Sequence, residues 1–418
     1  MFDNILFQNA GLLLEEAVTN GILPGAVLFS GPSSSGKLSA ALELARVLSC
    51  RAEKKGEWTC SCISCRQHKS LASSDVLLAG HRDCSCEIAA AKHALYEAVK
   101  VNAPYVPAVR YLFIRSIRKL TLRFSPVLWD GDDKLSKIAG LTSAINEMLE
   151  EIDFPRSLPE WDSLTKLCDS LEKKSAELES DYMYESIPIM QVRNASAWAH
   201  LSSGSGRKVM IIENAECMLE GVRNALLKIL EEPPENVVFI LTTSNKSAVM
   251  PTILSRVRIY NFVERTGKQQ AEVISRVFHG DALLAQASAS GRMISIERYL
   301  QNFLPFSPEF ISQKAGEFMA KIAGAKAPDN SAFCKELGKF ALRPVFSIFL
   351  EQCLLFTKKL LTLPQGTFAC SKVSAALRTC QNNVLIYNQS PQSALEQLVR
   401  ELLKINAEFQ GIFSCIGL

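Results

Sequence analysis

The chain has 418 residues, of which 48% are hydrophobic and 21% are charged. These values are close to the globular average and exclude a disordered, collagen-like or purely coiled-coil protein. The length suggests two to four domains. The 46 basic and 43 acidic residues give a net charge of only +3, which is too mild to argue for nucleic-acid binding.

Neither a membrane span nor a secretory signal is expected. Every apolar run is shorter than the roughly 18 residues that a membrane span needs. The first residues, MFDN, lack the basic segment that opens a signal peptide. We therefore expect a cytoplasmic protein whose thirteen cysteines are reduced, and clustered thiols in that compartment bind metal more often than they form disulfides.

Four short apolar runs predict buried parallel strands, because strands covered by helices on both faces are apolar along their whole length. They cover residues 26–29, 75–78, 209–212 and 237–241. Helical patterns lie around them at residues 9–18, 38–48 and 220–230. We therefore predict an α/β fold with a mostly parallel sheet.

The first strand runs into a phosphate-binding loop motif, GPSSSGKL at residues 31–38. In such loops glycines let backbone N–H groups surround phosphate oxygens, and the lysine reaches the β- and γ-phosphates. The last position normally carries a hydroxyl that binds Mg²⁺, and leucine has none. A loop that only keeps its shape therefore stays an alternative to a nucleotide site. The candidate nucleotide-binding residues here are Gly31, Ser35, Gly36, Lys37 and Leu38.

A cluster of cysteines follows the helix that is predicted directly after the phosphate loop. Its members are Cys50, Cys60, Cys62 and Cys65. Four thiols within sixteen residues suit the tetrahedral sulfur site of a structural zinc ion, and reduced free thiols are the alternative. Spare ligands are available at His68, Cys84 and Cys86.

The α/β pattern is interrupted between residues 81 and 182, which we interpret as a helical insertion. Two stripes of apolar residues with helical spacing flank a proline-containing turn at 154–159, and this arrangement predicts an antiparallel helical hairpin. A basic run precedes the hairpin. A solvated helix face is the ordinary explanation for such a run, and a DNA-facing patch is the alternative. The run consists of Arg110, Arg115, Arg118, Lys119 and Arg123.

The strand at 209–212 ends where an ATP-hydrolysing protein of this type has an acidic pair. Glu213 is one methylene longer than the usual aspartate, and Asn214 cannot act as a general base. Together with Leu38 these substitutions predict that the chain does not hydrolyse ATP by itself. Thr243 and Arg256 follow the strand at 237–241, and an arginine without further context is ordinarily a surface residue.

With these motifs in view, the sequence resembles the bacterial DNA polymerase III clamp-loader subunits, AAA+ proteins of the gamma/tau and delta-prime kinds. The resemblance rests on FDNILFQ at residues 2–8, the phosphate loop, the cysteine cluster, NALLKILEEPP at 224–234 and TTSNKSAVMPTILSR at 242–256. Residues 388–396 look like the closing collar helix of delta-prime. The resemblance as a whole implies an AAA+ P-loop domain over 1–263, a small helical lid over 264–303 and an all-helical collar domain over 304–418.

The altered loop favours the delta-prime kind, whose nucleotide sites are commonly decayed. The resemblance then implies a ring with gamma/tau and delta subunits that loads the sliding clamp onto primed DNA. In that ring Arg256 would act in trans as an arginine finger on a neighbour's γ-phosphate, and Thr243 would be a polar sensor. Zinc would be structural, although Cys60 is displaced by one position from the family's second cysteine. The alternatives are a gamma/tau-type ATPase and an AAA+ adaptor outside replication.

Overall fold

The computed structural model describes residues 1–184, 186–201, 207–289, 293–304, 306–324, 342–385 and 389–416. The chain divides into two compact units, Met1–Leu300 and Gln301–Leu418. Residue 388, the first of the collar-helix motif, lies outside the described residues. Within those ranges no helix combines the length and the apolar character that crossing a membrane requires.

A five-stranded parallel sheet forms the centre of the first unit. Its strands follow the order β2-β3-β4-β1-β5. They are β1 (Ala26–Ser30), β2 (Val76–Ala79), β3 (Lys208–Ile212), β4 (Val237–Thr243) and β5 (Arg258–Asn261). The first four match the predicted strands, so the predicted α/β fold with a parallel sheet is confirmed. The sequence did not reveal β5, because only Tyr260 of its four residues is buried.

Helices cover both faces of the sheet. The described helices of the first unit are α1 (Ala10–Thr19), α2 (Lys37–Leu48), α3 (Ile63–Lys69), α4 (Ser85–Lys100), α5 (Val106–Thr121), α6 (Leu135–Ile152), α7 (Trp161–Tyr182), α8 (Ile189–His200), α9 (Glu220–Glu231), α10 (Pro251–Leu254), α11 (Gly267–Phe278), α12 (Asp281–Ala289) and α13 (Ile296–Gln301), the last ending one residue into the second unit. A 3₁₀ turn, Leu122–Phe124, continues α5. The described part of the second unit contains α14 (Pro308–Ala323), α15 (Leu342–Thr357), α16 (Gly366–Leu385) and α17 (Pro391–Glu408).

Alternate side chains of each central strand enter two different hydrophobic cores. In β4, Phe239 joins the core formed with α4 to α9, whereas Ile240 joins the core formed with α1 and α2. The same alternation sends Leu28 and Phe29 of β1 to opposite faces. This two-sided burial is why the strands have continuous apolar sequences.

The predicted helical hairpin is present as α6 and α7, which pack on each other. Its facing side chains Ile138, Ile145, Leu164 and Leu171 are fully buried. The proline-containing turn between the helices was predicted from the sequence. The hairpin joins the large core on the α4–α9 face of the sheet.

The basic run on α5 is neither a solvated face nor a DNA-facing patch, and both expectations were wrong. Arg110 is only 6% exposed. Its guanidinium donates hydrogen bonds to the carbonyl oxygens of Ile152 at 2.6 Å, Asp153 at 2.9 Å and Arg156 at 2.6 Å. It therefore satisfies carbonyls at the C-terminal end of α6, which have no partner within the helix.

The other members of the run also bond to groups of the protein itself. Arg115 donates to the carbonyl of Lys69 at 2.5 Å, and Arg118 bonds the Asp153 carboxylate at 2.6 Å and the Ser70 carbonyl at 3.1 Å. Lys119 pairs with Glu87, and Arg123 pairs with Glu213. The spacing of the charges was visible in the sequence. Their partners were not, because most lie more than thirty residues away in the chain or are backbone carbonyls.

Replacing Arg110 by alanine tests this interpretation. We expect Arg110→Ala to lower the free energy of unfolding of the first unit by roughly 2–4 kcal/mol, since three backbone carbonyls, of which that of Ile152 is buried, would lose a charged donor. All four tryptophans lie in the first unit, so tryptophan fluorescence during urea unfolding reports on that unit. The control is Arg276→Ala, which removes an exposed arginine paired with Glu272 and should change stability by no more than about 0.5 kcal/mol. Equal effects of the two substitutions would contradict the buried role of Arg110.

Candidate nucleotide site and cysteine cluster

The phosphate loop connects β1 with α2 and takes the conformation that its glycines permit. Gly36 precedes α2 with φ of +96°, a left-handed conformation that favours glycine. At Gly31 a Cβ atom would lie 2.2 Å from the carbonyl oxygen of Phe262, so a side chain cannot be accommodated there. The loop therefore has the strand–loop–helix placement that the sequence predicted.

Lys37 is bonded within its own loop. Its Nζ donates to the carbonyl oxygens of Gly31 and Pro32, both at 2.6 Å, and the Ser35 hydroxyl donates to Pro32 at 2.7 Å. Burial lowers the pKa of Lys37 to about 8, although Glu216 and Glu213 oppose that shift. A phosphate oxygen reaching this amine would replace one or both carbonyl acceptors. Leu38 is buried and presents no hydroxyl to the site.

The parallel register of the sheet brings the predicted residues at the carboxyl ends of β1, β3 and β4 to the same edge of the sheet. Thr243, at the end of β4, is fully buried, and its carbonyl accepts a hydrogen bond from the Gly31 N–H at 3.1 Å. Asn214 follows β3 in a left-handed conformation with φ of +54°, and its amide donates to the His81 carbonyl at 2.8 Å. Asn214 therefore fixes a turn, a role that asparagine suits because it tolerates this conformation.

Glu213 is held by two arginines. It is only 6% exposed, and its Oε1 accepts from Arg82 Nη1 at 3.0 Å while its Oε2 pairs with Arg123 Nη2. Burial alone would raise the pKa of this carboxyl, but Arg123 and Arg82 lower it below its ordinary value. The carboxylate is thus ionised and compensated by charges of the same chain.

Sequence reasoning missed Arg82, Arg265 and Glu216 at this edge. Oε1 of Glu216 accepts from the Ser244 N–H at 2.9 Å and from its hydroxyl at 2.6 Å, next to Thr243 in the chain. Burial would raise the pKa of Glu216, but the hydrogen bonds from Ser244 lower it. Glu216 lies three residues after Glu213, within the 3₁₀ turn Ala215–Cys217, and this short spacing was the available sequence signal for it.

Arg265 ties the loop to the N-terminal segment of the chain. It is 8% exposed and donates to the carbonyls of Ser34 at 2.7 Å and of Leu6 at 3.0 and 3.2 Å. A cavity of about 150 Å³ lies beside it, bounded by residues 32–35, 264–265, 270 and 295–297. That volume is below the roughly 300–1,000 Å³ of ordinary small-molecule pockets.

Arg256 lies on the surface, directly after α10. Its Nε donates to Oε1 of Glu231 at 2.8 Å and its Nη2 pairs with the same oxygen, while Nη1 donates to the Thr252 carbonyl at 2.7 Å. Its side chain is 30% exposed, and that of Glu231 is 49% exposed. None of the partners that the structure gives it belongs to the phosphate loop of this chain.

The structure brings the four predicted cysteines together. The Sγ atoms of Cys50, Cys60, Cys62 and Cys65 all lie within 4.8 Å of one another. Cys50 Sγ and Cys60 Sγ are 3.8 Å apart, and sulfurs at about 2.3 Å from a tetrahedral zinc ion are separated by roughly this distance. The spare ligands His68, Cys84 and Cys86 are not part of the cluster. The donor set therefore fits zinc.

Arg46 supports the cysteine cluster from α2. This fully buried arginine makes two hydrogen bonds to the Glu43 carboxylate, at 2.9 and 2.6 Å, and one from Nη1 to Cys65 Sγ at 3.2 Å. Burial alone would raise the pKa of Cys62, but hydrogen bonds with backbone groups of Arg51 and Cys65 lower it to about 6. The surroundings thus favour thiolate, the form that binds metal, at Cys62, whereas burial raises the pKa of Cys65 despite its contact with Arg46.

Comparisons with known proteins find one matching family and several relatives. A family model described as "DNA polymerase III, delta subunit" matches residues 8–125 and 164–266, more than half of the chain. A DNA polymerase III delta-prime subunit from Haemophilus influenzae is 28% identical over 42% of this chain and 56% of its own length. The Pseudomonas aeruginosa delta-prime subunit is 39% identical over 19% of this chain and 24% of its own. A gamma/tau subunit from Mycobacterium bovis is 46% identical over 13% of this chain and 10% of its own.

Two facts qualify the extent of these matches. The chain spans about half the length of the Haemophilus relative and less of the other two. The family model matches residues 8–125 and 164–266, so the internal stretch that it leaves unmatched is 126–163. That stretch contains α6 and is shorter than the 81–182 insertion expected from the sequence.

The metal assignment leads to a quantitative expectation. Protein purified under reducing conditions should contain about one zinc ion per chain by elemental analysis, because thiolate ligation couples to local folding. Cys62→Ser/Cys65→Ser should lose the metal. The matched control is Cys86→Ser, which removes a nearby thiol outside the cluster and should keep it. Zinc-free wild-type protein, or metal loss in the control, would contradict the four-cysteine site.

Proposed function

Because this chain belongs to the DNA polymerase III, delta subunit family, we propose that it is a delta-prime-type subunit of a clamp loader. In this proposal it assembles in the cytoplasm with gamma/tau and delta subunits and helps to load the sliding clamp onto primed DNA. It reaches DNA through that complex. The named relatives of the delta-prime kind support this choice.

The surface position of Arg256 carries the mechanistic part of the proposal. Its guanidinium is presented beside a short helix and has a carboxylate and a carbonyl of its own chain as partners. A planar guanidinium offers several donors that match phosphate oxygens. Exchange of Glu231 for the γ-phosphate of a neighbouring subunit would keep the guanidinium charge compensated. Arg256 would then stabilise the charge that develops during phosphoryl transfer.

The phosphate loop of this chain, unlike Arg256, lacks the groups that ATP hydrolysis requires. Leu38 offers no hydroxyl, Asn214 is engaged in a turn, and Lys37 is bonded to loop carbonyls. These features favour a subunit that positions its neighbours over one that hydrolyses ATP itself. Any nucleotide bound here would therefore not be turned over.

The cysteine cluster fits a structural role in the same proposal. Cys50, Cys60, Cys62 and Cys65 would hold a zinc ion through four sulfurs, which leaves no open coordination position. The ion supplies stability to the segment between α2 and α3 when it is bound. We assign the helices of the second unit to the collar that joins the subunits.

The isolated chain should show no ATP turnover. We expect the wild-type protein and Lys37→Ala to give the same background rate in a coupled assay, since the loop lacks a magnesium-binding hydroxyl and a general base. A wild-type rate clearly above that of Lys37→Ala would favour the gamma/tau-type ATPase instead.

Arg256 should matter to the assembled loader and not to the fold of its own chain. In a reconstituted complex with gamma/tau and delta, we expect Arg256→Ala to reduce DNA- and clamp-stimulated ATP hydrolysis. Loss of an arginine finger can cost ~10³-fold at the affected site. Other sites would continue to work, so total turnover should fall less than clamp loading. Arg256→Lys should recover little, because lysine lacks the planar donors.

The control for this experiment is Arg276→Ala, which also removes an exposed arginine paired with a glutamate. It should leave hydrolysis and clamp loading unchanged. Assembly and unfolding should be nearly normal for both variants. If the Arg256→Ala loader hydrolyses ATP and loads clamps at the wild-type rate, Arg256 is an ordinary surface residue.

A further inference from the structure

The carboxylate at the end of β3 lies where a hydrolytic relative's acidic residue would steady Mg²⁺. In this chain both oxygens of Glu213 are already used by cations of the protein. Oε1 accepts from Arg82 Nη1 at 3.0 Å, and Oε2 pairs with Arg123 Nη2. The two arginines come from different elements, the loop after β2 and the 3₁₀ turn after α5.

Both arginines are fixed by further contacts. Arg123 has a side chain only 3% exposed, and its Nη1 donates to the Gly80 carbonyl at 2.8 Å. Its own carbonyl accepts a hydrogen bond from Trp129 Nε1 at 2.9 Å. Arg82 lies 3.6 Å from Glu87, which also pairs with Lys119. Arg123 is therefore part of a packed network, whereas the Arg82 side chain is 36% exposed and is held by its two carboxylate partners, Glu213 and Glu87.

This arrangement does not fit a magnesium ion. Mg²⁺ demands near-octahedral oxygen coordination at about 2.0–2.1 Å, and its entry would have to displace the buried Arg123 or the partly exposed Arg82 from Glu213. The two positive charges of Mg²⁺ would lie close to the two guanidinium groups and would be repelled by them. The next carboxylate, Glu216, accepts two hydrogen bonds from Ser244 through Oε1 and lies in the field of Lys37, while its buried Oε2 has no hydrogen-bond partner among the described residues.

We propose that Arg82 and Arg123 replace the divalent cation of this site: they are the permanent counter-ions of Glu213, and they exclude Mg²⁺ from the phosphate loop. The inference rests on the proposed function, in which the loop does not hydrolyse ATP, and adds the physical reason. It also means that restoring a hydroxyl at position 38 would not restore a magnesium site while both arginines remain.

Manganese binding tests the proposal directly, because Mn²⁺ prefers the same oxygen ligands and is visible by electron paramagnetic resonance. The full chain with its cysteine cluster loaded with zinc is titrated with Mn²⁺. The wild type should show no saturable site. Arg82→Gln/Arg123→Gln should gain one site, and adding Glu213→Gln should abolish it. The control Arg276→Gln/Lys173→Gln removes two exposed positive charges elsewhere and should behave as wild type.

Two results would overturn the proposal. One is a saturable Mn²⁺ site in the wild type that Glu213→Gln removes. The other is a folded double variant, judged by its tryptophan fluorescence, that gains no site. Neither depends on the arginine-finger experiment. A wild type that binds Mn²⁺ while Arg256→Ala still impairs the loader would refute only the counter-ion inference.

A second measurement covers the case in which the double variant does not fold. Urea unfolding of Glu213→Gln, Arg123→Gln and the combined variant forms a double-mutant cycle, with Trp129 close to the altered pair. The fall in midpoint caused by Arg123→Gln should be at least halved in the Glu213→Gln background, because the unpaired buried charge has then been removed. Additive effects would refute the pairing.

Discussion

The first unit depends on a row of cationic side chains along α5, which bond to backbone carbonyls and carboxylates of distant segments. Arg115 and Arg118 bond carbonyls at the C-terminal end of α3, the helix that carries Cys65. Arg110 does the same for the end of α6. Helix C-termini have carbonyls without partners and a partial negative charge, so guanidinium groups are well suited to both. At the end of the row Arg123 reaches Glu213. One helix thus connects the cysteine cluster, the hairpin and the edge of the sheet.

This network positions its members more than it stabilises the fold. Burying an ion pair costs desolvation energy that the attraction between the charges only partly offsets, whereas removing one partner can cost about 3–5 kcal/mol. Glu213, with two arginines, therefore belongs to a structure that tolerates little change at this point. A hydrolytic site needs a carboxylate free to exchange its partners during turnover. Glu213 instead has both of its oxygens bonded to arginines of its own chain.

The fold could be predicted where sequence and burial have the same periodicity. The central strands were found because alternate residues such as Phe239 and Ile240 enter separate cores and leave no polar position. The cysteine cluster was found because its four thiols are close in sequence. The edge strand around Tyr260 and the roles of Arg82 and Arg123 were not found. Arg82 and Arg123 lie 131 and 90 residues from Glu213, and no local pattern carries such a pairing.

The arginines of this unit also show why residue type alone does not assign a function. Arg123 and Arg256 each bond a glutamate and a backbone carbonyl. Arg123 is buried, so separating it from Glu213 would leave two charges in a medium that solvates them poorly. Arg256 pairs with the exposed Glu231, and surface pairs of this kind contribute only about 0–1 kcal/mol. A phosphate on another subunit could take Arg256 from its carboxylate at little cost. The same exchange at Arg123 would disrupt the edge of the sheet, so the burial of Arg123 and the exposure of Arg256 give the two side chains different freedom to change partners.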